Sequence, residues 1–160
     1  MKNSNKLIAL MTILPWFTIP LIGAKAFKRY LPGSIFMALF LLAEGRYAEK
    51  RKWWWFLYSV KPNVLGELPL IIGPFFVGTI WILKYTFGNF YLYLFVNVIV
   101  DSIFTYAGMN WFRKNGYVTL VRITKFQLSI VFLVKTIVLY GFQLVYEKLF
   151  CRQSIEGAEK

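Results

Sequence analysis

The 160-residue chain is 58% hydrophobic, 20% aromatic and only 16% charged, with a formal net charge of +12. A soluble domain is about 45–50% apolar even with Gly counted, and a small fold leaves much of its surface wet, so this composition excludes an ordinary water-soluble enzyme and predicts a membrane protein. The single cysteine, Cys151, excludes an intrachain disulfide, and the lack of histidine removes histidine general bases and zinc ligation by imidazole. No cofactor fingerprint, metal cluster or nucleophile with its base is present, so the expected cofactor set is empty and the expected activity non-enzymatic.

The expected fold is all-α: one membrane domain over residues 1–160, built as a polytopic transmembrane helical bundle of about five spans plus an interfacial Trp-rich segment. After Met1-Lys2-Asn3-Ser4-Asn5-Lys6, residues 7–24 form an uncharged apolar run close to the about 20 residues that cross a bilayer. Pro15 and Pro20 predict a bend that Thr12 and Thr18 can accommodate. A cleaved signal peptide ending at Ala24-Lys25-Ala26 is the rival reading, disfavoured because the apolar core exceeds the usual about 7 to 15 residues.

The second span, 31–48, is as short as the first. Leu31 to Ala43 gives only 13 residues before Glu44, and the segment reaches about 27 Å only if Glu44 and Arg46 lie near the interface. Pro32 suits a first helical turn. Residues 49–63 then change character, with Glu49-Lys50-Arg51-Lys52 before Trp53-Trp54-Trp55. Lys52, Trp53, Trp54 and Trp55 are expected as interfacial anchors, because amphipathic rings and basic side chains favour the headgroup level. A Trp-rich ligand platform is the functional alternative.

The third span, 65–83, carries Glu67, Pro69, Gly73 and Pro74 at its start, a pattern that predicts a kinked or broken helix whose freed backbone could bind an ion or substrate. Glu67 reads first as a carboxylate at the interface. Lys84-Tyr85-Thr86-Phe87-Gly88-Asn89 reads as a tight turn into the fourth span, 89–108. Arg113, Lys114, Arg122 and Lys125 fill a loop, the fifth span covers 126–146, and 147–160 forms a polar, frayed tail.

With five spans the amino-terminal side collects eleven basic residues and the other side seven. The positive-inside rule then places the amino terminus in the cytoplasm. Basic residues between spans point to anionic lipid headgroups and the bilayer as partners, not nucleic acid. A homo-oligomer or a partner membrane protein is the further expectation, since five helices would normally need a second copy to enclose a pathway.

Two charges fall where hydrocarbon is expected. Spacing of four aligns Tyr93, Asn97, Asp101 and Thr105 on the fourth span, and Gln127, Lys135, Gln143 and Glu147 on the fifth. Asp101 and Lys135 lie about 10 and 13 Å from one membrane face on antiparallel neighbours. A lone central charge costs about 2.5–3.5 kcal/mol, so the two are expected to pair, either as a helix clasp or as a working site.

The stretches Trp53-Trp54-Trp55 through Pro69, Trp81-Ile82-Leu83-Lys84-Tyr85-Thr86-Phe87-Gly88-Asn89-Phe90 and Asn97-Val98-Ile99-Val100-Asp101 resemble small uncharacterised integral membrane proteins of bacilli. The resemblance covers most of the chain after Trp53 and implies a bacterial plasma membrane, with no chemistry attached. The leading expectation is a non-enzymatic accessory or envelope-associated subunit. A small transporter or ion-coupled carrier using Asp101 and Lys135 is the alternative, and a membrane-embedded enzyme the second.

Overall fold

The computed structural model describes residues 2–56 and 66–151. The expected interfacial residues 57–63 and the start of the third span at Leu65 lie outside the described residues, as does the tail from Arg152. The described chain is mostly helical, and four helices are long and apolar enough to cross a membrane: α2 (Ala24–Arg51), α3 (Leu68–Thr86), α4 (Phe90–Lys114) and α5 (Lys125–Phe150). Only 17% of the α4 window is buried, and its outer face carries Tyr91, Phe95, Val98, Ile99 and Ile103. In water these side chains would remain hydrated, whereas hydrocarbon accepts them without cost.

The amino-terminal run is shorter and less regular than a full span. Helix α1 (Lys2–Ile13) passes into a 3-10 turn, Leu14–Thr18, and a final turn, Ile19–Ile22. Pro15 removes the N–H that would bond Met11, and the Thr18 hydroxyl donates to the Pro15 carbonyl at 2.6 Å. The segment runs beside α3 in the same direction. The Trp16 indole donates to the Ile72 carbonyl at 3.1 Å, Trp81 donates to Thr18 at 2.9 Å, and Lys84 donates to the Leu21 carbonyl at 3.3 Å. Residues 8–22 therefore cover the depth between Ile72 and Lys84, helped by the roughly 2 Å rise of the 3-10 turn. At Gly73 an added Cβ would stand 2.7 Å from the Met11 carbonyl oxygen, so this close approach of two backbones requires glycine.

The second segment is corrected most. It is the longest helix, 28 residues or about 42 Å, because it starts directly after Gly23 at φ 83° rather than at Leu31. Pro32 consequently lies inside the helix, not in its first turn. The helix stops at Lys52, in the left-handed region at φ 55°, and the Trp53 N–H closes back on the Ala48 carbonyl at 3.0 Å. Beyond it the Trp run turns inward as strand β1 (Trp54–Phe56), paired antiparallel with β2 (Val118–Leu120) in the register Trp54↔Leu120 and Phe56↔Val118.

The expected break in α3 is a π turn, Ile71–Phe75, inside a continuous helix. The expected loop of basic residues is also partly ordered: α4 continues through Ile103–Gly108 as a π turn and on to Lys114, ahead of β2. Helix α5 starts with a capping box in which the Gln127 N–H donates to the Thr124 hydroxyl and the Thr124 N–H donates to the Gln127 side-chain oxygen. It continues past Tyr146 through Glu147–Cys151, where a frayed tail was expected.

Two apolar clusters result. One lies beneath the strand pair and joins Phe56, Leu70, Phe112, Tyr117, Leu128 and Phe132. The other lies at the opposite end and joins Ile22, Tyr30, Ile80, Leu83, Tyr93 and Leu139. Asn97, Asp101, Lys135 and Thr136 lie between them.

Candidate functional site

The predicted ridge on α4 does face inward. Tyr93 and Thr105 are fully buried and Asn97 nearly so, while Asp101 is half-buried. The Tyr93 hydroxyl donates to the Thr136 carbonyl at 2.9 Å, and the Asn97 amide donates to the Tyr93 carbonyl at 2.8 Å. These bonds tie α4 to α5 and fix the direction of the ridge. On α5, Lys135 and Gln143 are buried, but Gln127 is exposed and serves the helix cap.

Lys135 pairs with Glu44 rather than with Asp101. Its Nζ lies 2.8 Å from Glu44 Oε2, with the two side chains 4% and 10% exposed, and 4.1 Å from the centre of the Phe132 ring. The reason is the length of α2. That helix runs on past the expected end at Ala48 to Arg51, about two turns beyond Glu44, and Glu44 is 10% exposed inside the bundle instead of at its edge. Asp101 Oδ2 takes only a long hydrogen bond, 3.5 Å, from the Thr136 hydroxyl. Among the described residues Asp101 has no ion-pair partner of its own.

Asp101, Asn97, Thr136 and Lys135 open onto a cavity of about 400 Å³ between the two apolar clusters. Its remaining wall is almost entirely apolar, including Met37, Pro74, Phe75 and Phe104. Such a chamber, apolar with a few convergent polar groups, has the size and character of a small-molecule site. A smaller chamber of about 60 Å³ adjoins it at Lys135 and contains Glu44, Glu67 and Trp54.

Glu67 is buried at the start of α3, not exposed at an interface, and its carboxyl lies on Gly45 of α2. Burial pushes its pKa above the usual carboxylate range, and Glu49 and Glu44 reinforce the shift, against a lowering contribution from its own backbone N–H. Tyr117 donates to the Gly66 carbonyl at 2.7 Å, and burial, with Glu67 nearby, raises its phenol.

The other predicted groups are placed as follows. Pro69 precedes the π turn and Pro74 lies within it, and the Trp16 indole of the first segment donates to the Ile72 carbonyl, so that carbonyl is already engaged within the chain. Trp53 and Trp54 pack on the apolar cluster beneath the strands, and Trp55 is the ring that faces outward, 37% exposed. Lys52 is exposed at the helix stop. Gln143 bonds the Arg29 carbonyl and Glu147, both at 3.3 Å, and Arg29 grips Glu147 with two bonds of 2.5 and 2.7 Å.

Glu44 is the functional residue that sequence reasoning missed. A signal was present, since Leu41, Glu44 and Ala48 follow helical spacing and both apolar neighbours are buried. Comparison with family models, with curated proteins and with solved structures gives no match.

Proposed function

We propose that this chain is a non-enzymatic, multi-pass protein of the bacterial plasma membrane that binds a small apolar cation in the cavity at Asp101, in the manner of a carrier. The observation that carries this reading is a charge count. Lys135 is matched by Glu44, which leaves Asp101 as a carboxyl without a cation in a largely apolar chamber. A cation with an apolar body satisfies both features: its charge meets Asp101, and its body covers hydrophobic wall at about 25 cal/mol per Å².

The path of the first segment beside α3 supports opposite sides for the two termini. On this reading Lys50, Arg51, Lys52, Arg113, Lys114 and Arg122 share the face of the amino terminus, which favours the cytoplasm and anionic headgroups. Fusing reporters to both ends tests this, and both on one side refutes it.

The binding reading is tested with radiolabelled tetraphenylphosphonium and the purified, detergent-solubilised chain in equilibrium dialysis. Saturable binding is expected, with at least a tenfold loss in Asp101→Asn. Absence of binding, or equal binding by Asp101→Asn, overturns the reading; absence would return the chain to an accessory role.

A further inference from the structure

The small chamber beside Lys135 holds more hydrogen-bonding capacity than the chain itself satisfies. Glu67 is only 7% exposed, and neither of its oxygens meets a partner side chain. Glu44 places Oε2 on Lys135 but leaves Oε1 unpartnered, and the Trp54 indole N–H is buried without an acceptor. All three line the same space of about 60 Å³. Native interiors rarely leave such groups unpaired, and each one left so costs about 1–3 kcal/mol. The space has room for at least two water molecules, which need two to four polar partners each.

Counting donors narrows what else belongs there. Ionised carboxylates only accept hydrogen bonds, and Glu44 Oε1 with both Glu67 oxygens outnumber the donors at hand, the Trp54 indole N–H and the backbone N–H of Glu67 itself. Charge gives the same answer. Two carboxyls and one ammonium are neutral together only when one carboxyl carries a proton, and an uncompensated charge is disfavoured among Phe56, Leu70 and Phe132. Glu44 already has Lys135 Nζ 2.8 Å from Oε2, whereas neither Glu67 oxygen has a partner side chain, which leaves Glu67 as the carrier.

We propose that this chamber is a second site, distinct from the cavity at Asp101, whose ligand is a proton: Glu67 holds it and exchanges it through bridging water with the Glu44–Lys135 pair. The binding step forms one O–H bond on Glu67 from hydronium and releases one water; the reverse returns the proton to water. The titratable groups facing Glu67 among the described residues are Glu44 and Glu49 from α2, Tyr117 before β2, and Lys135 from α5. Gly45 supplies the room, since a Cβ there would occupy the place of the Glu67 carboxyl. Glu67 sits where α3 begins, at the strand-pair end, so the path from that face to the chamber is short.

The test is infrared difference spectroscopy of the full chain in lipid vesicles at neutral pH, in H2O and D2O. The wild type should show a carbonyl-stretch band of a protonated carboxylic acid that moves on deuteration. Glu67→Gln should lose it, Glu67→Asp should shift it, and Asp101→Asn should keep it. No such band in the wild type, or an unshifted band in Glu67→Asp, overturns the proposal even if Glu67→Gln does not fold. A band lost in Asp101→Asn and retained in Glu67→Gln also overturns it, by assigning the proton to the large cavity. Loss of the wild-type band on adding sodium chloride at constant pH overturns it in favour of a metal cation. Phosphonium binding depends on Asp101 and this band on Glu67, so the two proposals fail separately.

Discussion

Replacing Glu44 by Gln tests which carboxylate balances Lys135. The ammonium is 4% exposed and 2.8 Å from Glu44 Oε2, so the substitution leaves a buried cation without its counter-charge. Breaking a buried pair from one side costs about 3–5 kcal/mol. Asp101 also interacts with Lys135 across the cavity and partly replaces the lost charge, which puts the expected loss near the lower limit, about 3 kcal/mol. Asp101→Asn keeps an oxygen that can accept from Thr136 and removes a charge that is only secondary to Glu44 at Lys135, so it should cost about 1 kcal/mol or less. In the double variant Glu44→Gln with Lys135→Met no buried charge is stranded, and most of the stability should return, giving a coupling of at least about 2 kcal/mol. The assay is reversible denaturation in mixed micelles, followed by tryptophan fluorescence. A larger loss from Asp101→Asn than from Glu44→Gln, or additive effects in the double variant, would refute the assigned pairing.

Gly73→Ala should lower stability by about 1–3 kcal/mol, because the new methyl meets the backbone of Met11 and Thr12 and the first segment must move away; the same denaturation assay reads it. Arg29→Gln should change stability by no more than about 1 kcal/mol, and the change should shrink in high salt, since Arg29 is half-exposed where it grips Glu147. Thr124→Ala should cost about 1 kcal/mol through loss of the capping box at the start of α5. The pH dependence follows from Glu67. Its folded pKa lies above the unfolded value near 4.5, so the native state binds the proton more tightly and stability falls as pH rises from that value through the folded pKa. Glu67→Gln should flatten that part of the profile, and an unchanged profile would contradict the buried placement of Glu67.

Much of the helical layout could be read from hydropathy, because long apolar runs dominate the chain and Asn89 and Thr124 mark the starts of α4 and α5. The inward ridge Tyr93–Asn97–Asp101–Thr105 was equally legible, since three of its four members stand out as polar on an apolar helix. Helix length was not. Lys25, Lys28 and Arg29 argue against extending α2 upstream, yet they occupy its first two turns, where their long stems can reach the chain's edge. At its other end α2 runs on to Arg51, and Glu44 lies inside the bundle beside Lys135. The strand was illegible for a related reason: rings that suit a headgroup layer also suit a strand, and only the distant partner Val118–Leu120 brings the strand out. Pairing across 60 residues leaves no local trace.

Lys135 borders both chambers, and this shared wall has a thermodynamic consequence. One ammonium cannot lie at its optimum for carboxyls on opposite sides, so neutralising Glu44 or Glu67 releases it toward Asp101, while a cation at Asp101 drives it back. The two occupancies therefore oppose each other. By reciprocity, the factor by which a proton weakens the cation equals the factor by which the cation weakens the proton. Phosphonium affinity measured against pH gives that factor directly, and a flat dependence would show that the two chambers act independently.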